Sequence, residues 1–362
     1  MKLHPPFKIL DRYIIKKFLG TYIFAIILIL AITIMFDINE KLDAFLKAPL
    51  EATIFDYFLN FLPYFANQFS PLFTFIAVIF FTSKLADNSE IIAMLSAGVS
   101  YRRLLRPYMI SATVIAVTTY LLSAYIIPPA NIERINFTNT YVKNKRVDYG
   151  SNIQLQVAKG EIAYMSRYDN NTKTGYKFSL ESFKDKELVS RLTAQTIRYD
   201  SLYNWQVRDY MIRNFKGNRE EITRGSKLDT VIPIEPRDFL ISNKDHETMT
   251  TPDLNNYINR QKDRGVANIK SFEIEYHRRF AMTAAAFILT LIGMALSSRK
   301  VKGGMGVNIG IGLVLSFSYI LFMTVTSAFA VSGLTSAAIA MWIPNIVYTI
   351  IGLVLYRRAS RG

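Results

Sequence analysis

Asp87-Asn88-Ser89-Glu90-Ile91-Ile92-Ala93-Met94-Leu95-Ser96-Ala97-Gly98-Val99-Ser100-Tyr101-Arg102-Arg103 is a short helix-like segment set between two long apolar runs. Its punctuation predicts a helix near 87–98. Asp87 is placed to cap the first free N–H groups, and Glu90 three residues later completes a capping-box spacing and suits the positive end of the helix dipole. Gly98 supplies the left-handed residue on which helices commonly stop. Ile91, Ile92 and Leu95 share one face of such a helix, and Arg102, Arg103 and Arg106 follow it. Basic residues beside apolar runs mark the cytoplasmic side of a membrane. A helix held there is either a passive surface turn or a docking piece for a cytoplasmic partner.

Working outward, the apolar residues collect into six runs, roughly 14–36, 55–82, 105–127, 278–297, 307–330 and 335–356. Each matches the roughly 20 helical residues that cross about 30 Å of hydrocarbon. A polar stretch of about 150 residues separates the third run from the fourth. The expectation is an α-helical membrane protein of six transmembrane helices arranged 3+3, with an inserted domain. The domains fall at 1–130 (helices 1–3), 131–250 (the insert) and 251–362 (a linker helix and helices 4–6). The chain has no cysteine, so disulfides and thiolate metal sites are excluded.

Orientation follows from the short connections. The N-terminal segment, the 84–106 and 298–306 loops and the C-terminal tail carry fifteen Lys/Arg against Asp11, Asp87 and Glu90. The opposite loop, 37–54, has Lys41 and Lys47 against Asp37, Glu40, Asp43 and Glu51. With six spans, both termini are expected in the cytoplasm and the insert outside. The net charge of +15 is thereby spent on topology, with no nucleic-acid site implied.

In the second run, Pro63 and Pro71 bracket Asn67 and Gln68, which predicts a kinked helix whose freed backbone groups face protein or a cavity. The third run is expected to start near Pro107 and to stop at Pro128-Pro129. In the insert the period becomes two. Asn152-Ile153-Gln154-Leu155-Gln156-Val157 alternates cleanly, and further strand-like runs recur with turn clusters such as Asp169-Asn170-Asn171 and Lys216-Gly217-Asn218. This pattern predicts a β-sandwich or jelly-roll. Thr251-Pro252-Asp253 opens a further helix that Gly265 closes. His4, His246 and His277 are scattered, so no metal site is suggested, and Gly306 and Gly310 suit close helix approach. No catalytic set of nucleophile, base and orienting group is placed in one site, so no enzyme and no cofactor are expected.

In this order and topology the motifs resemble the LptF/LptG permeases of the lipopolysaccharide transport ABC exporter. They are Leu10-Asp11-Arg12-Tyr13-Ile14, Pro63 with Pro71, and Ser89-Glu90 followed by Ala97-Gly98-Val99-Ser100. Leu10-Asp11-Arg12-Tyr13 is similar to LptG and Trp342-Ile343-Pro344-Asn345 to LptF, which leaves the subunit open. The resemblance implies a periplasmic β-jellyroll and a multi-pass protein of the bacterial inner membrane. It implies pairing with a second such permease on a dimeric, LptB-like cytoplasmic ATPase, with LptC-like and LptA-like periplasmic proteins receiving lipopolysaccharide. Glu90, Ile91, Ile92, Leu95, Arg102 and Arg103 are then the expected ATPase-coupling residues. Family members often carry basic residues at the outer end of the first span. Here Lys41 stands among Asp37, Glu40 and Asp43, so Lys41 and Arg134 are the expected lipid-binding cations. No Gly-x-x-x-x-Gly-Lys stretch occurs, which assigns ATP to a partner. An ion-coupled secondary transporter and a non-transporting envelope scaffold are the alternatives.

Overall fold

A computed structural model describes residues 9–142, 149–217, 219–236, 245–263, 269–299 and 304–361. The first half runs through α1 (Ile9–Glu40), the short α2 (Leu42–Lys47) and α3 (Leu50–Ala52), and a π-helical turn, Thr53–Phe58. It continues with α4 (Leu59–Gln68), α5 (Ser70–Asp87), α6 (Glu90–Ser96) and α7 (Tyr101–Leu121), then a second π turn, Leu122–Ile126, and α8 (Ile127–Phe137). After six strands come α9 (Thr251–Asp263), α10 (Lys270–Ser297), α11 (Gly304–Val331) and α12 (Ala337–Arg361). Among the described residues, six segments are long and apolar enough to cross a membrane: α1, α5, α7 running into α8, α10, α11 and α12. The fold is therefore six apolar helices with a β domain inserted between the third and the fourth.

The chain divides into two compact units, one built from Met1–Lys143, Glu247–Thr251 and Lys270–Gly362, the other from Asn144–His246 and Pro252–Ile269. In the helical unit α10 packs against α5, α7, α11 and α12, while α1 packs on α5 and α7. Close approach of α10 to α5 depends on Gly293. A Cβ added there would lie 2.7 Å from Val78 Cγ1 and 3.3 Å from Phe75 Cδ2. Gly312 of α11 is similarly crowded, by Ile79, whereas Gly306 and Gly310 face open space. The small-residue contact is thus displaced from the expected pair, because only Gly312 lies on the side of α11 turned to α5.

The expected kink between Pro63 and Pro71 is a full break at Phe69 (φ −99°, ψ 8°), after which Pro71 sits in the first turn of α5. An N–H is not needed there, so the proline costs little. The third span departs from expectation at both ends. It starts at Tyr101, with the Ser100 hydroxyl accepting from the Arg103 N–H at 3.2 Å, and it continues past Pro128-Pro129 through α8 and a further π turn, Thr138–Val142. The π turn at Leu122–Ile126 explains the continuation. It restarts the hydrogen-bond pattern at Ile127, so both prolines fall in a first turn.

The β unit is one antiparallel sheet whose strands lie in sequence order: β1 (Tyr149–Ala158), β2 (Glu161–Asp169), β3 (Thr174–Lys184), β4 (Glu187–Ser201), β5 (Asn204–Lys216) and β6 (Arg219–Val231). Sequential hairpins give a meander, a simpler connection than a Greek-key sandwich has. Ile153, Leu155 and Val157 turn toward the apolar core, as their alternation predicts. They join Met165, Phe178, Ile197, Val207 and Trp205, whose indole N–H donates to the Ile234 carbonyl at 3.0 Å. Gly265 and Asn218, expected in the α9 stop and in a turn, lie outside the described residues.

Two hairpin tips, Asp185-Lys186 and Leu202-Tyr203, have both residues at positive φ, the geometry of a type I′ turn. Leu202 suits this poorly, since its side chain is 79% exposed and its backbone is left-handed at φ 41°. Leu202→Asn is expected to raise the stability of the β unit by about 0.5–1 kcal/mol. The measurement is the urea midpoint for proteolysis of that unit in the full chain. An unchanged midpoint would mean the turn relaxes at no cost.

Candidate functional site

The end of the helical unit where α1 begins and α12 ends carries α6. Asp87 does not cap this helix: α5 extends through Asp87, leaving Asn88 and Ser89 to reverse the chain. Ser89 takes a left-handed conformation (φ 62°), and its side chain makes no capping bond. The exit follows expectation. Gly98 (φ 84°) donates to the Leu95 carbonyl and Val99 to the Met94 carbonyl, at 3.0 and 3.1 Å, which is a Schellman motif.

Two contacts fasten this loop to the start of α1. The Tyr13 hydroxyl donates to Glu90 Oε2 at 2.8 Å. Arg103 makes a two-pronged pair with Asp11, at 2.6 and 2.7 Å, and Asp11 is almost wholly buried. A forked guanidinium–carboxylate pair fixes orientation as well as distance. The expected apolar face of α6 is divided. Ile91 is 1% exposed and packs in the core with Ile14, Leu85 and Leu104, whereas Ile92 (53%) and Leu95 (39%) face outward. Arg102 is exposed as well.

At the opposite end lies a polar cluster within the apolar helices. Arg134 is buried, stacks on the Tyr64 ring at 4.3 Å, and donates to Asn131 (2.9 Å) and Glu247 (3.2 Å). Arg279 of α10, 4% exposed, donates to Glu275 at 2.9 Å, the Thr251 hydroxyl at 2.9 Å and the Met249 carbonyl at 3.0 Å. Arg278 meets the other oxygen of Glu275 at 2.5 Å. Three guanidinium groups therefore face two carboxylates. Arg278, Arg279, Glu247 and Glu275 border a cavity of about 40 Å³ lined also by Tyr64, Asn67, Gln68, Ser70 and Pro71, so the residues between the two prolines do face a cavity. Lys41 lies in a separate aromatic cluster. Its ammonium is paired with Asp37, donates to the Tyr57 hydroxyl at 2.6 Å, and sits over the Tyr57 and Phe61 rings.

The sequence reading missed Asp11 and Tyr13 as fasteners, along with Glu247, Glu275, Arg278 and Arg279. For the last three a signal was present: charges repeating at i, i+3 and i+4 as the chain enters an apolar run, where an isolated charge is expensive.

The site and fold together define a multi-pass membrane protein with a helix presented at one end and a polar cluster among its spans. The chain matches the family described as Lipopolysaccharide export system permease LptF/LptG over residues 12–358. It belongs to that family, and its role is that of a permease. No curated protein matches the chain.

Proposed function

We propose that this chain is one of two permease subunits of an ATP-driven exporter that takes lipopolysaccharide from the outer leaflet of the bacterial inner membrane and passes it to a periplasmic bridge. The observation that carries the ATP-driven part is α6. It is a short helix anchored through Glu90 and Ile91 and capped by a Schellman motif, and it holds Ile92 and Leu95 outward. In this reading Ile92 and Leu95 seat in a groove of an LptB-like ATPase dimer, with Arg102 beside them. Glu90, Ile91 and Arg103 set the angle at which they are presented. Both termini are cytoplasmic and the β unit is periplasmic, where LptC-like and LptA-like proteins continue its sheet.

Lys41 and Arg134 are the lipid-phosphate contacts in this proposal. Each already has a carboxylate partner, so a phosphate joins or displaces that partner on entry. Recognition then depends on exchange between anions, and a lipid already dissolved in the bilayer gains little from apolar contact alone.

The test is affinity purification of the tagged chain in mild detergent, with copurifying proteins and lipids identified. A P-loop ATPase, a second permease and lipopolysaccharide are the expected companions; recovery without any ATPase would overturn the proposal. In the assembled complex, a photo-crosslinker at Leu155 is expected to label lipopolysaccharide only when ATP is supplied. Label independent of ATP would remove the β unit from the transport path.

A further inference from the structure

The α1–α5 surface at the terminal end forms a groove of about 490 Å³ that the transport reading leaves unused. Tyr13, Lys16, Lys17, Gly20 and Phe24 line it from α1 and Phe80 lines it from α5. Its chemistry is graded along its length. Lys16 and Lys17 lie at the end nearer the chain termini, and Lys84 follows Phe80 by one turn on α5 in the same direction. Phe24 (65% exposed) and Phe80 (39%) lie deeper in the span. Gly20 between them has nothing within 4 Å of where a Cβ would stand, so the floor is open.

The charges here are of one sign. Among the described residues neither Lys16, Lys17 nor Lys84 makes an ion pair; Lys17 lies 5.7 Å from the centre of the Tyr13 ring. The nearby carboxylates are otherwise engaged, Asp11 by Arg103 and Glu90 by Tyr13. Asp87, half-buried one turn beyond Lys84, is the remaining acid on that side. Cations at the polar end and aromatic rings at the apolar end match a phosphate head group with an acyl chain below it. Basic pockets between transmembrane helices hold anionic lipids on this principle.

We propose that this groove binds an anionic glycerophospholipid drawn from the leaflet at the terminal face, its phosphate on Lys16 and Lys17 and its acyl chain against Phe24 and Phe80. Because Tyr13 both borders the groove and holds Glu90, an occupied groove stabilises the attachment of α6 to α1. The site lies at the end of the spans away from the polar cluster and serves a resident lipid, which the permease does not transport.

The test uses the full chain purified in its native assembly and titrated with phosphatidylglycerol or phosphatidylethanolamine, bound lipid being counted by native mass spectrometry. Phosphatidylglycerol is expected to be retained preferentially. Lys16→Gln is expected to lower its retention about 5-fold, and Lys16→Gln with Lys17→Gln about 25-fold, while Lys159→Gln in the β unit changes nothing. Phosphatidylglycerol with a photoreactive acyl chain is expected to label the peptide that contains Gly20 and Phe24. Equal retention of both lipids, or wild-type retention by the double variant, would overturn the proposal. Full displacement by soluble glycerol phosphate would overturn it too, since the site would then recognise phosphate without the lipid.

Discussion

Ile92→Glu and Leu95→Glu are each expected to cut lipid-stimulated ATP hydrolysis by about 30-fold or to release the ATPase, while the permease itself stays folded. Both side chains face outward on α6, so a carboxylate there costs the chain little by itself. At a docked interface it would be desolvated without a partner, and losing a central apolar anchor costs about 2 kcal/mol or more. Ile91→Glu is the informative contrast. Ile91 lies in the core with Leu85, Tyr101 and Leu104, so its replacement should unfold the terminal end before docking is tested. Glu90→Lys should act through α1, because it puts an ammonium in place of the Tyr13 acceptor and reverses the charge at the first residue of α6. Stimulated hydrolysis and the size of the purified complex separate these outcomes. If the Ile92 and Leu95 variants assemble and turn over normally, α6 is a passive turn.

Arg103→Ala is expected to destabilise this end by about 3 kcal/mol. It removes two charge-assisted bonds from a buried carboxylate, and breaking a buried pair costs about 3–5 kcal/mol. The lower end applies because Arg103 keeps 28% of its side-chain surface in contact with solvent. Asp11→Asn with Arg103→Gln should be milder than either single change, since no unpaired charge is left behind. The readout is the fraction of protein that stays monodisperse after graded heating in detergent. Equal loss in the single and double variants would mean that shape, not charge, joins α1 to α7.

What the sequence made legible was whatever repeats or punctuates locally. The six apolar runs were visible from length alone, the inward face of β1 from the alternation at 152–157, and the end of α6 from Gly98. What stayed hidden was long-range. Asp11 and Arg103 stand 92 positions apart and Tyr13 and Glu90 stand 77 apart, so no window joins them. The start of α6 was misplaced because Asp87 has a capping residue's chemistry, yet the preceding helix takes it first. Ile91 and Ile92 are neighbours of identical type. Which of them is buried depends on where α5 and α7 sit, and the amphipathic pattern of seven residues does not record that. Alternation likewise marks strands but not their order, so a meander and a jelly-roll share one signature.

The π turn at Leu122–Ile126 has a consequence for insertions and deletions. Such a turn holds one residue more than an α-helical path needs, and one residue corresponds to about 100° of rotation about the axis. The azimuth of everything downstream in that span is therefore set by this surplus residue. With it, Asn131 and Arg134 point toward Glu247; without it, the same two side chains would be carried about a quarter-turn away. A single deletion at this position would preserve a continuous apolar helix of nearly the same length and hydropathy while turning Asn131 and Arg134 out of the polar cluster. The span is thus tolerant of substitution by composition and intolerant of a change in count.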